Sequence, residues 1–408
     1  MALTRASLLL LCSSFATSTS PAAPLFSWAT VPVFQHLASV NASASAPFPA
    51  ARLAWLAATF PVVVLEHAHA MGAWAYEPPN GTGSSWGPEP FLPPGGYIED
   101  AFAYTAAALK ALNRSTTVLY YQQITGALPY YRASKSLMSH PGWALDANCN
   151  PVTSLSTPVL GDILPNYVTY AYDHTQDGVT QNFVDAFVNM TSSTDVDGTF
   201  IDTAGCYSAT GQEAASIATV QAMQAARPDK IVGFHTESSL KGSNGFSAAM
   251  DYTFAVPGKK SGPGKDTSGQ AGVDWLNSNY AAGVISFAHI GDVDQGTDMK
   301  YSLAVFLAGV NPLSYFAFSS TNKTEDAWRE CWDGGSATWP VFPTWCSGQG
   351  GSVDYSRPLG EPLGPATPTG GKLNEVTREF KSGTAVTVQL LGSSCSIKWA
   401  DGHQTICD

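Results

Sequence analysis

Short apolar runs that end on a carboxylate or an imidazole recur through this chain, and that pattern constrains the fold more than any other feature. Val196-Asp197-Gly198-Thr199-Phe200 leads to Ile201-Asp202 and then to a turn of small residues, Thr203-Ala204-Gly205. Lys230 to Phe234 leads to His235-Thr236-Glu237, Ala248 to Phe254 carries Asp251, and Val284 to Phe287 leads to Ala288-His289. Runs this short and this rich in β-branched and aromatic residues read as buried strands. Helix-like stretches separate them: residues 98–112, with Glu99-Asp100 at a helix N-terminus, then 180–190, 212–226 and 299–308. Strand and helix in alternation imply a parallel sheet. Repeated this often, they imply a closed (β/α)8 TIM barrel of the α/β class, whose active site lies at the C-terminal ends of the strands.

Nine strand candidates can be read: 31–37, 62–66, 116–122, 167–173, 198–202, 230–235, 248–255, 284–288 and 313–318. Eight fill a barrel, so residues 167–173 are expected to be an accessory strand. After Asp354 the pattern changes. Segments 375–380, 385–391 and 395–400 alternate as antiparallel strands do, which predicts a small C-terminal antiparallel β module. The expected organisation is a signal peptide over 1–20, the barrel over 26–353 and the β module over 354–408. With 408 residues the chain is long enough for both folded parts.

The first twenty residues read as a secretory signal: Arg5, then a leucine-rich stretch, then the small residues Ala16 to Ser20. No later apolar run has the length of a spanning helix, so export without membrane insertion is expected. Cysteine usage agrees. Cys12 leaves with the signal, and the six that remain suit an oxidising compartment. Cys331 with Cys346 and Cys395 with Cys407 are close in sequence, which leaves Cys149 with Cys206. Sequons at Asn41, Asn80, Asn113, Asn189 and Asn322 fit a secreted glycoprotein. A net charge of -12 argues against nucleic acid and against anionic membrane as partners.

Carboxylates placed at successive strand ends point to glycoside chemistry, which uses one protonated acid and one ionised carboxylate across the scissile bond. Asp202 is the first candidate, and Asp251 or Glu237 the second. Glu66 ends the second strand and is a candidate substrate ligand. So are His36, His235 and His289 at strand ends, and the sugar-stacking aromatics Tyr121 and Trp143. His67 and His69 alternate as metal ligands can, but no further ligands stand at a recognisable spacing, so no metal is expected. Gly348 to Gly351 lacks the tail of a phosphate loop, and no Gly-x-Ser-x-Gly elbow is present. No cofactor is implied.

Several segments carry a family resemblance. They are Thr30-Val31-Pro32-Val33-Phe34-Gln35-His36, Phe60 to Glu66, Leu128-Pro129-Tyr130-Tyr131-Arg132, His140 to Asp146, Val196 to Asp202, and Arg357-Pro358-Leu359-Gly360-Glu361-Pro362-Leu363-Gly364. In their order and spacing the chain resembles a family of TIM-barrel glycosyl-hydrolase-like proteins known mainly from algae and other protists. The resemblance spans about Phe26 to Ala400. It implies a secreted glycosidase acting on a polysaccharide or oligosaccharide. One departure stands out: Met250-Asp251-Tyr252 occupies a place where a Glu is expected. The alternatives are a non-catalytic, lectin-like carbohydrate-binding barrel and a transglycosylase.

Overall fold

A computed structural model describes residues 21–37, 48–67, 69, 84–85, 97–128, 131–146, 148–153, 159–160, 170–203, 206–235, 245–251, 268–290, 299–320, 329–330, 355–371 and 374–407. Eight strands form the barrel: β1 (Gln35–Leu37), β2 (Val62–Leu65), β3 (Thr117–Gln123), β4 (Gly198–Asp202), β5 (Ile231–His235), β6 (Ala248–Asp251), β7 (Ile285–Ile290) and β8 (Ser314–Ser320). Each pairs in parallel with the next in chain order. A parallel bridge between Val33 and Phe316 closes the ring. Val62 to Leu65 are fully buried, as expected where the lumen covers one face of a strand and a helix the other.

Register then sorts the side chains. Pairing sets His36 level with Val64, Leu119 and Gly198, Tyr121 level with Phe200 and Gly233, and His235 level with Met250, Phe287 and Tyr315. Phe34 lies 5.1 Å from Phe287, and Tyr121 lies 5.7 Å from Phe200, ring to ring across the lumen. One glycine on this ring is fixed by contact: a Cβ on Gly198 would stand 1.9 Å from the Ile231 carbonyl oxygen, so only glycine lets β4 approach β5 there.

Seven α-helices are described: α1 (Ala50–Thr59), α2 (Ile98–Leu112), α3 (Arg132–Ser139), α4 (Asp177–Met190), α5 (Gln212–Ala226), α6 (Gly269–Ala281) and α7 (Met299–Gly309). The sequence reading anticipates α2, α4, α5 and α7 and misses the other three. α3 is only eight residues long. Glycines break the pattern of α6, yet Gly269 is where this helix meets Tyr301 of α7, and a Cβ there would stand 2.6 Å from the phenol oxygen. The accessory strand is real but shorter than expected: Ala171–Tyr172 pairs antiparallel with Ala144–Leu145. Cys149 and Cys206 are disulfide-bonded beside it.

The C-terminal sheet is antiparallel, in the order β9 (Thr367–Pro368), β10 (Glu375–Glu379), β11 (Ala385–Gln389), β12 (Cys395–Lys398) and β13 (Gln404–Cys407). Cys395 and Cys407 face each other in register and are bonded, as spacing suggested; Cys331 and Cys346 lie outside the described residues. The sheet lies on α7, which explains why every residue of that helix but Lys300 is buried. Tyr301 donates its hydroxyl to the Gln389 carbonyl. Arg378 donates to the carbonyls of Leu307, Ala308 and Val310 at 3.2, 3.1 and 2.8 Å. Those are the unpaired acceptors at a helix C-terminus, where a cation is favoured. Burial lowers the Arg378 pKa to about 10, so the cap stays charged at neutral pH. No helix among the described residues is long and apolar enough to cross a membrane.

Arg378→Met keeps the stem and removes the donors. It is expected to lower unfolding free energy by roughly 1.5–3 kcal/mol, the scale of hydrogen bonds to a charged group. Urea unfolding measures it, and a change near zero would mean the cap contributes nothing.

Candidate active site

The lumen changes character along its axis. Phe34, Phe200 and Phe287 form an aromatic floor. One step along their strands toward the C-terminal rim stand His36, Asp202 and His289, and Glu66, Tyr121 and His235 complete a polar layer. This follows from period two: two residues past a lumen phenylalanine, the next side chain again faces the lumen.

Asp202 ends β4 with each carboxylate oxygen engaged. Its Oδ2 accepts the Tyr121 hydroxyl at 2.7 Å. Its Oδ1 lies 2.7 Å from His235 Nδ1 and accepts the Thr203 backbone N–H at 2.8 Å. Burial alone would raise its pKa, but these donors outweigh it and hold the carboxyl below its usual range. Burial, then the Asp202 and Glu66 charges, push the Tyr121 hydroxyl pKa well above the ordinary phenol range. The phenol therefore keeps its proton and remains a donor.

Glu66 follows β2 and is almost fully buried. His36 Nε2 lies 3.3 Å from Oε1, and His67 Nδ1 contacts Oε2. Burial favours the neutral acid here too, yet His67 and His36 more than offset it, and the Glu66 pKa falls to about 2. His67 is raised in return: burial opposes the charge, but Glu66 and Asp202 favour it more. His289, packed 4.9 Å from the His36 ring, is held well below its usual value by burial and stays neutral. Two ionised carboxylates thus flank Tyr121, whose ring lies 5.0 Å from that of His67.

Of the sequence candidates, His36, Glu66, Tyr121, Asp202, His235 and His289 share this layer. Asp251 does not follow the same series. It is in register with Ala288, while Met250 stands level with His235 and Phe287. The Asp251 side chain and all of Glu237 lie outside the described residues. Trp143 packs elsewhere: its ring stacks on His140 at 4.0 Å and covers Gly178 at the start of α4. His67 and His69 diverge, for His69 bonds Thr105 at 2.8 Å and stacks on Phe102. Among the described residues no group of three or more His, Cys, Asp or Glu could hold a metal ion. Sequence reasoning missed Gln123, which donates to the Tyr121 hydroxyl at 3.0 Å. Continuing the alternation of β3 past Tyr121 would have found it.

A fixed, ionised carboxylate at the rim, partly open to solvent and backed by proton-bearing neighbours, is suited to meet developing positive charge on a substrate carbon. The model of a family described as "Hypothetical glycosyl hydrolase family 15" matches residues 110–384. No curated protein matches the chain. Several solved structures align with the chain. The acarbose-soaked debranching enzyme of Nostoc punctiforme aligns over 95% of this chain and 97% of its own, at 10% identity and a TM-score of 0.50. A noncanonic maltogenic alpha-amylase, AmyB from Thermotoga neapolitana, aligns over 91% and 88%, at 14% identity and 0.48. The glycoside hydrolase domain of PelA from Pseudomonas aeruginosa aligns over 73% and 96%, at 15% identity and 0.39. At 10% identity the likeness to the Nostoc enzyme is one of fold.

The Glu66–His67 pair sets a pH dependence. Glu66, depressed from 4.5 to about 2, contributes stability above its unfolded pKa that is lost as pH falls through that interval. His67, raised from 6.5, contributes stability below 6.5 that is lost as pH climbs through its folded pKa. The stability difference between native protein and Glu66→Gln is therefore expected to peak between 4.5 and 6.5 and to shrink on both sides. Thermal melts across pH measure this, and a difference flat from pH 3 to pH 9 would contradict it.

Proposed function

Because the chain belongs to the hypothetical glycosyl hydrolase family 15, we propose that it hydrolyses O-glycosidic bonds of a polysaccharide or oligosaccharide at the C-terminal mouth of its barrel, using Asp202 as the ionised carboxylate. The observation that carries this reading is the set of donors on Asp202: Tyr121, His235 and the Thr203 N–H keep it charged and fix its orientation. A carboxylate so held opposes the positive charge that grows on the anomeric carbon as the bond to the leaving oxygen breaks. It attacks that carbon itself if the enzyme retains configuration, or takes a proton from the attacking water if it inverts.

The leaving oxygen needs a proton. Glu66 is a poor source, since its histidine partners keep it ionised. Glu237 is the acid in this proposal, two residues beyond His235, which itself contacts Asp202. The register of β6 favours it over Asp251. Glu66, His36 and His289 line the base of the site, where polar groups would meet sugar hydroxyls. The same reading has the protein exported. The Cys149–Cys206 and Cys395–Cys407 disulfides support this, because such bonds persist in oxidising compartments.

A panel of algal and plant polysaccharides tests the proposal, with reducing ends measured for native protein, Asp202→Asn and Glu237→Gln. Native protein is expected to release product, and Asp202→Asn to lose on the order of 10²–10⁴-fold or more in kcat without losing its fold. Glu237→Gln should lose activity on ordinary glycosides but keep much of it on aryl glycosides, whose leaving groups need no proton. Full activity in Asp202→Asn would overturn the assignment. Glycan binding by all three proteins with no product from any would favour the non-catalytic barrel.

A further inference from the structure

The Asp202 carboxylate is reached from further down β3 by a side chain that never touches it. Gln123 is buried, and its Nε2 donates to the Tyr121 hydroxyl oxygen at 3.0 Å. A phenol oxygen carries one proton. When Gln123 fills its acceptor side, that proton must point elsewhere, and the acceptor 2.7 Å away is Asp202 Oδ2. Gln123 is itself held in one orientation. Thr125 directs both its hydroxyl, at 3.2 Å, and its backbone N–H, at 3.4 Å, to Gln123 Oε1. Two donors on that oxygen fix which end of the amide is the NH₂ group. The backbone of Tyr121 is pinned as well, because Tyr131 donates its hydroxyl to the Tyr121 carbonyl at 2.9 Å.

We propose that Gln123 is a positioning residue: oriented by Thr125, it directs the Tyr121 proton onto Asp202 and so keeps that carboxylate ionised and aimed. The inference rests on the glycosidase reading for its purpose, but not for its test. Every bond in the chain runs one way, from Thr125 to Gln123 to Tyr121 to Asp202. Reversing the Gln123 amide would set its NH₂ group against the Thr125 backbone N–H, a donor facing a donor. The arrangement differs from simple packing in one measurable respect. A residue that merely fills space would change stability, whereas a residue that directs this proton changes the acidity of Asp202.

The variants are Gln123→Glu, Gln123→Leu, Tyr121→Phe and the Tyr121→Phe/Gln123→Leu double variant. An ionised Glu at 123 accepts the Tyr121 proton and draws it from Asp202. The titration of Asp202 is followed by NMR on protein labelled with ¹³C at aspartate carboxyls, with Asp202→Asn to assign the signal. Melting temperatures check that each variant folds. The Asp202 midpoint is expected to rise by roughly one pH unit in Gln123→Glu and by less in Gln123→Leu, as it loses a donor to its charged form. Once Tyr121→Phe has removed the hydroxyl, Gln123→Leu should cause no further rise. An Asp202 midpoint unchanged in a folded Gln123→Glu protein would overturn the proposal. So would a Gln123→Leu shift of equal size with and without the Tyr121 hydroxyl. Because the titration needs no substrate, a shift in a protein that cleaves no glycan would sink the glycosidase reading while the relay stands. In an active enzyme, the acidic limb of kcat/KM should move with the midpoint.

Discussion

Alternation of period two, imposed around a closed ring of parallel strands, decides which side chains of this protein meet. Once Val33 bridges Phe316 and the ring is complete, register sets which lumen positions of neighbouring strands stand level. The aromatic floor and the polar layer above it are then two consecutive steps of one pattern. A slip of one residue in any strand would send its lumen side chains to the helix side. Gly198 shows how tightly the register is held, since nothing larger fits against the Ile231 carbonyl.

Electrostatics follows from that layering. Burial alone would favour neutral acids for the carboxylates above the floor. Each instead has donors or imidazoles supplied by neighbouring strands. Glu66 has His36 from β1 and His67 beside it, and Asp202 has Tyr121 from β3 and His235 from β5. Both are held ionised against the cost of burial. The C-terminal sheet does its work elsewhere, covering α7 and capping its C-terminus through Arg378, on an outer face of the barrel.

Much of this was legible in the sequence. The eight barrel strands announce themselves as buried apolar runs between helices, and the strand ends point to Asp202, Glu66, His36, His235 and His289, which the fold brings together with Tyr121. What was missed has physical causes. α6 hides because its glycines weaken its helical signature, and one of them, Gly269, serves close packing against α7. The side chain of Asp251, a charge within an apolar run, lies outside the described residues, and the face it takes is set by the register of β6, which only the sheet supplies. Trp143 stacks on His140 and covers Gly178, partners that no local pattern reveals. Gln123 carries no signal of its own, because a buried amide acquires its role from the groups on either side of it.

The account centres on Asp202 as the group that meets the sugar. The most direct measurement is a crystal structure of Asp202→Asn soaked with an oligosaccharide that the native protein cleaves. The anomeric carbon of the scissile bond should lie within roughly 3–3.5 Å of the residue 202 carboxamide, or one ordered water away from it. A glycan seated away from the barrel mouth, with residue 202 untouched, would contradict the account.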